Sequence, residues 1–179
     1  ELIRFLNEGN HVTYLFFWGH QPEKNGATSN SCLSNWHPAP FTLDDITYPT
    51  SEHYMMAQKA KLFGDTRTHQ SVLKAKTPKE AKALGRKVGG FNEEAWNNHR
   101  IEIVVSGNEA KFSQHPIMKD FLLSTRDAVL VEASPYDRVW GVGMSADHPA
   151  IEEPKAWQGL NLLGFALMEV RRRLDAREG

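Results

Sequence analysis

The chain has 179 residues and a formal net charge of −1 at pH 7, from 21 Lys and Arg against 22 Asp and Glu. Its length fits one domain, and an apolar content of 40% supports a real core. The near-zero charge argues against an extended nucleic-acid surface, which needs excess Lys and Arg, but it is compatible with a small basic cleft for one nucleotide.

The single cysteine, Cys32, allows no intrachain disulfide and favours a reducing compartment. No apolar run approaches the ~20 residues that span a membrane, and no signal-peptide pattern opens the chain. We therefore expect a cytoplasmic protein, or a nuclear one in a eukaryote, without membrane contact.

The first part of the chain predicts a polar lead, one buried strand, a long loop and a hairpin. Residues 1–11 are polar and predict a lead outside the core or a short helix, which leaves residues 12–175 as a single domain. Residues 12–18 are β-branched and aromatic and predict a buried strand. A polar loop follows over 19–34, and residues 41–48 have the pattern of a hairpin.

Residues 50–63 predict the helix around which the rest of the chain is organised. Thr50 can cap its N-terminus, and Gly64 can adopt the left-handed conformation that ends a helix. Glu52 and Lys59 lie seven residues apart, so at about 100° per residue they return to within about 20° of one face, roughly 10 Å apart along the axis. An acid and an amine so placed can face one shallow pocket, although both residue types are also common on ordinary solvated helices.

The rest of the chain predicts further helices and one strand. A threonine cap, a proline and a glutamate start a helix over 77–87. Asn92 can cap a longer helix that Pro116 interrupts, and a short helix follows. Residues 128–133 predict a strand, and apolar residues at helical spacing predict a final helix over 161–174. The predicted fold class is α+β: a mostly helical single domain with a small sheet or hairpin.

Several kinds of catalytic site lack their sequence signature. The eight histidines have no metal-binding spacing. The chain also has no nucleophile elbow, Walker loop or dinucleotide-binding glycine motif. We therefore expect neither a metal nor a cofactor.

The remaining candidates are aromatic and small residues in the predicted loops. Trp faces can stack nucleobases at roughly 1–3 kcal/mol per base. Residues 159–161 enter the final helix, where free backbone N–H groups can hold a phosphate. Trp96 is equally suited to core packing, and Asp137 can simply cap a turn.

Seven short segments, taken in chain order, form one recognisable series. They are S-E-H-Y-x-x-A-Q-K-A from Ser51, A-L-G-R from Ala83, Trp96, K-F-x-Q-H-P from Lys111, L-S-T from Leu123, S-P-x-D-x-x-W-G-x-G from Ser134 and N-L-L-G-x-A-L-M from Asn161. The series resembles the NADAR (YbiA-like) domain family over residues 16–172. The resemblance implies an α+β, mostly helical fold and an enzyme that cleaves N-glycosidic bonds of ribosyl compounds.

Two activities are associated with that family. One hydrolyses phosphoribosylamino intermediates of riboflavin biosynthesis, and the other removes ADP-ribose from guanine, including guanine in nucleic acid. The riboflavin branch carries an aspartate directly after the Trp-Gly pair of the late loop, where this chain has Val142. The resemblance therefore favours ADP-ribosylated guanine, as a nucleotide or in nucleic acid, as substrate. It implies ADP-ribose as a ligand and a toxin-type ADP-ribosyltransferase as functional counterpart.

Both substrates share a ribose C1 bonded to nitrogen, and residue chemistry together with the resemblance suggests how that bond breaks. Lys59, desolvated beside methionines, is the candidate nucleophile that forms an imine with C1. Glu52 is the candidate general acid/base, and Asp137 is a second carboxylate that holds ribose hydroxyls. In a non-covalent route, Glu52 instead stabilises an oxocarbenium-like C1 and directs water. The candidate substrate-binding residues are Asn35, Trp36, Tyr54, Trp96, Trp140, Gly141, Gly143 and Asn161.

Two alternative functions stay open from the sequence. An N-glycosidase of phosphoribosylamino riboflavin-pathway intermediates would use the same chemistry on a different substrate. A module that binds ADP-ribose without cleaving it needs no nucleophile, so the presence of both Glu52 and Lys59 speaks against it.

Overall fold

The computed structural model describes residues 1–21 and 28–177, and the predicted α+β class is confirmed. None of the described helices is both long and apolar enough to span a bilayer. Two short 3-10 helices lie at Asn30–Leu33 and Pro154–Ala156. The other elements are α1 (Leu2–Asn7), β1 (Tyr14–Phe17), β2 (Phe41–Leu43), β3 (Ile46–Tyr48), α2 (Ser51–Leu62), α3 (Thr66–Lys74), α4 (Pro78–Gly85), α5 (Glu93–Gln114), α6 (Pro116–Ser124), β4 (Val129–Glu132) and α7 (Leu162–Asp175).

The strands form two small sheets at the positions that the sequence predicts. β1 and β4 pair in parallel, from Tyr14 opposite Val129 to Phe17 opposite Glu132. β2 and β3 form an antiparallel hairpin, and the two aspartates at its bend have φ angles of 52° and 60°. Because parallel strands end at the same edge of a sheet, the segments that follow β1 and β4 emerge side by side.

The helix predicted at 50–63 is α2, and it packs against α3, α4 and α5. The Thr50 Oγ1 accepts a hydrogen bond from the His53 N–H at 3.3 Å, so the predicted cap is confirmed. Residues 51–57 are all buried. The first half of α2 is therefore an interior element, and the alternative of an ordinary solvated helix does not describe it.

The main core lies between α2, α5, α7 and the hairpin. Its packing requires a glycine at the end of α4, because a Cβ at Gly85 would lie 1.9 Å from the Met56 Sδ. A second cluster packs behind the parallel strands around Val131, Val142 and Ile151. The largest fully buried apolar side chains of the main core are Tyr48, Phe41, Phe112, Leu33, Leu122 and Leu130.

The structure differs from the sequence prediction in three places. No apolar pattern predicts α3, where Val72 is the one buried residue of the helix and Asp65 provides the N-cap by accepting from the Thr68 N–H at 2.9 Å. α4 ends at Gly85 rather than at residue 87. The predicted loop at 19–34 contains the 3-10 helix at Asn30–Leu33. Residues 22–27 of that loop lie outside the described part of the chain.

A candidate active-site cleft

A cleft of about 480 Å³ opens where β1 and β4 end. Its walls come from the segments after these two strands, from residues 34–36, from the first turn of α2 and from α4. Ligand sites in sheets with parallel strands commonly lie at this carboxyl edge. Of the site residues predicted from the sequence, the cleft brings together Asn35, Trp36, Glu52, Asp137 and Trp140.

Glu52 lies in the first turn of α2 and is 3% exposed. Its Oε1 atom is buried and has no hydrogen-bond partner. Burial is the main cause that raises the pKa of Glu52 to about 7, and the negative charge of Asp137 adds to it. The positive charge of Lys82, a hydrogen bond from the Trp36 indole and the charge of Arg86 oppose the rise. A carboxyl in this environment can exchange a proton near neutral pH.

A buried polar network fixes the loop that carries Asn35 and Trp36. The Asn108 side chain donates from Nδ2 to the Asn35 Oδ1 at 3.0 Å and accepts at Oδ1 from the Ser51 Oγ at 3.1 Å. The Glu52 N–H donates to the Asn35 carbonyl at 2.9 Å. The loop and the start of α2 are therefore one rigid unit, and the amide of Asn35 is already engaged within it.

Lys111 on α5 binds the backbone just before Asn35 and Trp36. Its side chain is fully buried, and its Nζ donates to the carbonyls of Cys32 at 2.6 Å and Ser34 at 3.1 Å. Burial lowers the pKa of Lys111 to about 8. Because the amine is enclosed and bound to two carbonyls, it supports the cleft without lining it.

Asp137 both caps a turn and faces the cleft. Its Oδ1 accepts from the N–H groups of Val139 at 2.9 Å and Trp140 at 2.8 Å. Its Oδ2 lies 3.5 Å from the Lys82 Nζ on α4. The turn-capping interpretation of Asp137 is therefore confirmed for Oδ1, and its role in holding ribose hydroxyls stays a prediction.

Sequence reasoning assigned no role to three charged residues that line the cleft. Lys82 lies on α4, Arg86 is the C-cap residue directly after that helix, and Glu132 is the last residue of β4. Burial, followed by the charge of Asp137, raises the pKa of Glu132 to about 8, with Glu52 adding to the rise and Lys82 opposing it. The available signal was positional: Glu132 follows an apolar strand directly, where a carboxyl group reaches the end of the sheet.

Lys59 lies beside the cleft and is not among the side chains that line it. Its Nζ is 4.4 Å from the centroid of the Phe91 ring and 5.4 Å from that of Trp96. Burial and then the charge of Arg86 lower the pKa of Lys59, while Glu52 raises it. The acid and the amine of α2 are thus electrostatically coupled, but only the acid lies in the cleft.

The aromatic residues Tyr54 and Trp96 belong to the core rather than to the cleft wall. Tyr54 is 7% exposed and packs edge-on against Tyr48 with ring centroids 5.0 Å apart. Trp96 is 8% exposed and lies within the main core cluster. The core-packing alternative for Trp96 therefore describes its position.

Gly141, Gly143 and Asn161 shape the wall behind the cleft without lining it. A Cβ at Gly141 would lie 2.8 Å from the Glu132 carbonyl oxygen, and Gly143 has a φ of 68°. Asn161 is fully buried with a φ of 53°. Its Oδ1 accepts from the Glu132 N–H at 3.0 Å, and its Nδ2 donates to the Leu130 carbonyl at 2.9 Å. Asn161 therefore binds the backbone of β4.

The prediction of a phosphate site at the start of α7 is wrong. The N–H groups of residues 160–163 donate to the carbonyls of residues 138–141, at 3.0 to 3.2 Å. The turn before α7 therefore uses the N–H groups of Leu160 and Asn161, which the prediction assigns to a phosphate.

The described residues contain neither a metal-binding cluster nor a reactive thiol. Within 1–21 and 28–177, no group of three or more His, Cys, Asp or Glu side chains is placed to hold a metal ion. Cys32 is 1% exposed, and burial raises the pKa of its thiol to about 11. The thiol is therefore inert at neutral pH.

The sequence profile of the NADAR domain matches residues 16–175. This chain belongs to the NADAR family. It is 37% identical over 163 residues to N-glycosidase R617 of Acanthamoeba polyphaga mimivirus, which covers 88% of this chain and 94% of that protein. It is 33% identical over 142 residues to N-glycosidase YbiA of Escherichia coli (strain K12), with 79% and 80% covered. The family thus includes N-glycosidases.

Two further likenesses concern the fold and a second relative. The NMR structure of the E. coli protein YbiA superposes with a TM-score of 0.74 at 28% identity, covering 94% of this chain and 89% of that one. The riboflavin biosynthesis protein PYRR, chloroplastic, of Zea mays is 34% identical over 151 residues. That match covers 78% of this chain but 22% of the maize protein, so it is a likeness to one part of a longer chain.

Val142 is the residue by which the family resemblance distinguishes this chain from the riboflavin branch. Its side chain is fully buried in the second core cluster, and its N–H donates to the Glu132 carbonyl at 3.0 Å. In this chain, Val142 therefore packs behind the wall of the cleft and is not among the residues that line it.

The raised pKa of Glu52 predicts how stability depends on pH. Folding raises this pKa from 4.5 to about 7, so between these pH values the folded state binds more protons than the unfolded state does. The free energy of unfolding therefore falls as the pH rises through that window. We expect Glu52→Gln to raise the free energy of unfolding by about 3 kcal/mol at pH 8 and to change it little at pH 4.5. Urea unfolding at both pH values measures this, with the exposed Glu8→Gln as control; an equal effect at both pH values would contradict it.

Proposed function

We propose that this protein is an N-glycosidase that hydrolyses the ribose C1–N bond of ADP-ribosylated guanine, as a nucleotide or within nucleic acid, and so reverses the modification. The observation that carries this function is Glu52, a buried carboxyl with a free oxygen in a cleft that also holds two cations and four Trp and Tyr rings. The relatives named N-glycosidases support the reaction type.

Glu52 suits the acid/base work that cleavage of a C1–N bond requires. The reaction needs a proton for the departing base and a group that deprotonates water. A carboxyl whose pKa is raised to about 7 populates both forms at neutral pH, so it can act in either direction. Because Glu52 itself is 3% exposed, water screens its interaction with charge at C1 less than it would at the surface.

The two cations at the end of α4 suit a substrate that carries phosphates. Lys82 lies in the last turn of α4, and Arg86, four residues on, is its C-cap with helical backbone angles, so both side chains project to the same side and into the cleft. An ammonium and a planar guanidinium together match a pyrophosphate, and the guanidinium can bind two oxygens at once. ADP-ribose contains such a pyrophosphate.

The aromatic rim of the cleft favours a substrate with more than one ring. Trp18 is 58% exposed and Tyr136 is 85% exposed, and their ring centroids lie 6.0 Å apart at the mouth. Exposed rings next to a cleft are available to stack on nucleobases. ADP-ribosylated guanine has an adenine and a guanine to place, whereas a phosphoribosylamino pyrimidine has one ring. The proposed choice of substrate therefore rests on Trp18 and Tyr136, which line the cleft, and not on Val142, which does not.

The covalent route in our proposal uses Lys59. Burial and Arg86 move its amine toward the nucleophilic free-base form. In this route the amine leaves the Phe91 ring and turns toward the cleft, a movement for which a lysine side chain has four rotatable bonds. Lys82 already lies in the cleft, but its ammonium is paired with Asp137 at 3.5 Å. In the non-covalent route, Glu52 stabilises an oxocarbenium-like C1 and directs water.

A second candidate function is hydrolysis of phosphoribosylamino intermediates of riboflavin biosynthesis. The maize relative named a riboflavin biosynthesis protein favours it. The floor of the cleft, which carries the carboxyl groups of Glu52 and Glu132, would serve both substrates, because each has a ribose C1 bonded to nitrogen. For the first function, a toxin-type ADP-ribosyltransferase that modifies guanine is the expected functional counterpart.

Turnover of the two substrate classes tests the function directly. With ADP-ribosylated guanosine and with DNA oligonucleotides that carry the modification, mass spectrometry should show released ADP-ribose and unmodified guanine. We expect kcat/KM to exceed that for a phosphoribosylamino pyrimidine by about 10-fold or more, since about 1.4 kcal/mol of additional stacking suffices. Glu52→Gln should lower kcat by roughly 10²-fold or more and still bind ADP-ribose in calorimetry, with Glu8→Gln as control. Preference for the pyrimidine substrate would favour the second function, and binding without release would indicate a non-catalytic reader.

Borohydride trapping tests the covalent route. Reduction during turnover should produce a stable adduct of ribosyl mass on Lys59, because an imine is reduced to an amine that cannot hydrolyse. Lys59→Met should abolish the adduct and turnover. Lys82→Met should retain the adduct and raise KM several-fold, on the order of one lost charge-assisted contact. An adduct that maps to Lys82, or full activity of Lys59→Met, would contradict this assignment.

Substitutions at the rim test the choice of substrate. Trp18→Ala and Tyr136→Ala should each raise KM for ADP-ribosylated oligonucleotides by about 5-fold or more, because a stacked base contributes roughly 1–3 kcal/mol. kcat should stay within about 2-fold, since neither ring is placed at the acid/base group. Phe5→Ala removes an exposed ring from α1, away from the cleft, and is the matched control. Unchanged KM in both rim variants would argue against stacking at the mouth.

A further inference from the structure

Unsatisfied buried polar atoms are concentrated in the cleft. Among the described residues, the buried side-chain atoms without a hydrogen-bond partner are the Glu52 Oε1, the Glu132 Oε2 and the Arg100 Nε. Two of these three atoms are carboxyl oxygens that belong to the cleft lining. A buried polar atom without a partner costs about 1–3 kcal/mol, so a pair of them in one cavity points to a ligand that completes them.

The backbone of Glu132 is held by hydrogen bonds on both sides, while its Oε2 atom has no hydrogen-bond partner. Its N–H donates to the Asn161 Oδ1 at 3.0 Å, and its carbonyl accepts from the Val142 N–H at 3.0 Å. Its Cα is paired in the parallel sheet with Phe17. The Cα–Cβ direction is therefore fixed toward the cleft, which is the arrangement that a group acting on a bound substrate needs.

The neighbouring charges distinguish the two carboxyls. Glu52 has Lys82, the Trp36 indole and Arg86 to stabilise its anion. Glu132 has Lys82 alone among the groups that favour its anion, and it faces the negative charges of both Asp137 and Glu52. When the pair holds a single proton, that proton therefore stays on Glu132 and the charge on Glu52. The titratable and charged groups that face this space from the surrounding elements are His20, Glu52, Lys82, Arg86, Tyr136 and Asp137.

We infer, on the basis of the proposed N-glycosidase function, that Glu132 is a second catalytic carboxyl, which donates the proton to the departing base while Glu52 acts on water. As the C1–N bond breaks, its electron pair goes to the nitrogen, and the nitrogen takes the proton of the neutral Glu132 carboxyl. A water molecule supplies the oxygen that C1 finally gains, and its proton passes to Glu52. Transfer of one proton from Glu52 to Glu132 restores the starting state, so the sum is the addition of one water across the C1–N bond.

The dependence of kcat/KM on pH tests this division of roles, because kcat/KM reports the ionisable groups of the free enzyme. In the wild-type protein, kcat/KM should fall on the alkaline side with a midpoint near the Glu132 pKa of about 8, because the proton donor is lost there. Glu132→Gln should lower kcat by about 10²- to 10⁴-fold, leave the Kd for ADP-ribose within about 3-fold and abolish the alkaline fall. Glu132→Asp should keep a smaller activity with an alkaline fall, and the exposed Glu8→Gln should match the wild type.

The outcomes separate this inference from the function on which it rests. If the wild-type protein releases no base from either substrate class, the N-glycosidase function itself is overturned. If it does release base but kcat/KM stays level up to pH 10, the assignment of Glu132 as proton donor is overturned without any variant being needed. Retention of kcat within about 3-fold in Glu132→Gln would overturn it as well, because a general acid normally contributes far more.

Discussion

The structure depends on holding one carboxyl, that of Glu52, out of water at the start of a buried helix. The Glu52 N–H is bound by the Asn35 carbonyl, and Asn108 joins the side chains of Asn35 and Ser51. A buried carboxylate is costly unless charges compensate it or it takes up a proton. Here partial compensation by two cations leaves the group near its midpoint at neutral pH. The same burial that weakens the fold thus makes the group useful for proton transfer.

The opposite wall is built by polar groups that hold the backbone rather than a ligand. Asn161 adopts a left-handed conformation and uses its amide as an extra strand partner for β4. The turn before α7 consumes the N–H groups at the start of that helix, and Gly141 allows the chain to pass close to the Glu132 carbonyl. These contacts fix the end of β4, and they thereby place Glu132 beside Asp137. Gly141 and Asn161, which the sequence suggested as ligand contacts, therefore support the backbone behind the cleft and do not line it.

The local part of the structure could be predicted from the sequence, and the assembled part could not. The caps at Thr50, Thr77 and Asn92 act within one turn, so each marks the start of its helix correctly. α3 was missed because its sequence is mostly polar and buries Val72 alone. Lys82, Arg86 and Glu132 were missed because the cleft joins segments that are far apart in the chain, and nothing local to α4 or β4 signals the other wall.

The position of Lys59 shows why helical arithmetic has limits. Seven residues on α2 do return Lys59 toward the face of Glu52, and the two groups are electrostatically coupled. Yet the helix passes from the cleft to the start of α5 over that distance. There Phe91 and Trp96 receive the ammonium. Two residues can share a helix face and still meet different neighbours, because the face is long and the cleft covers only its first turn.

The cleft separates the reaction from the choice of substrate. Every substrate in which ribose C1 is bonded to nitrogen needs a proton on the departing base and water at C1, and the carboxyls at the floor are suited to both. Relatives with different names can therefore share such a floor, and their likeness to this chain speaks to the reaction. The choice of substrate must then come from parts that the reaction does not use. Val142 is buried away from the cleft, whereas Trp18 and Tyr136 are exposed at its mouth. Since neither exposed ring belongs to the carboxyl groups that suit the reaction, a change at Trp18 or Tyr136 can alter which substrate binds while the carboxyls stay as they are.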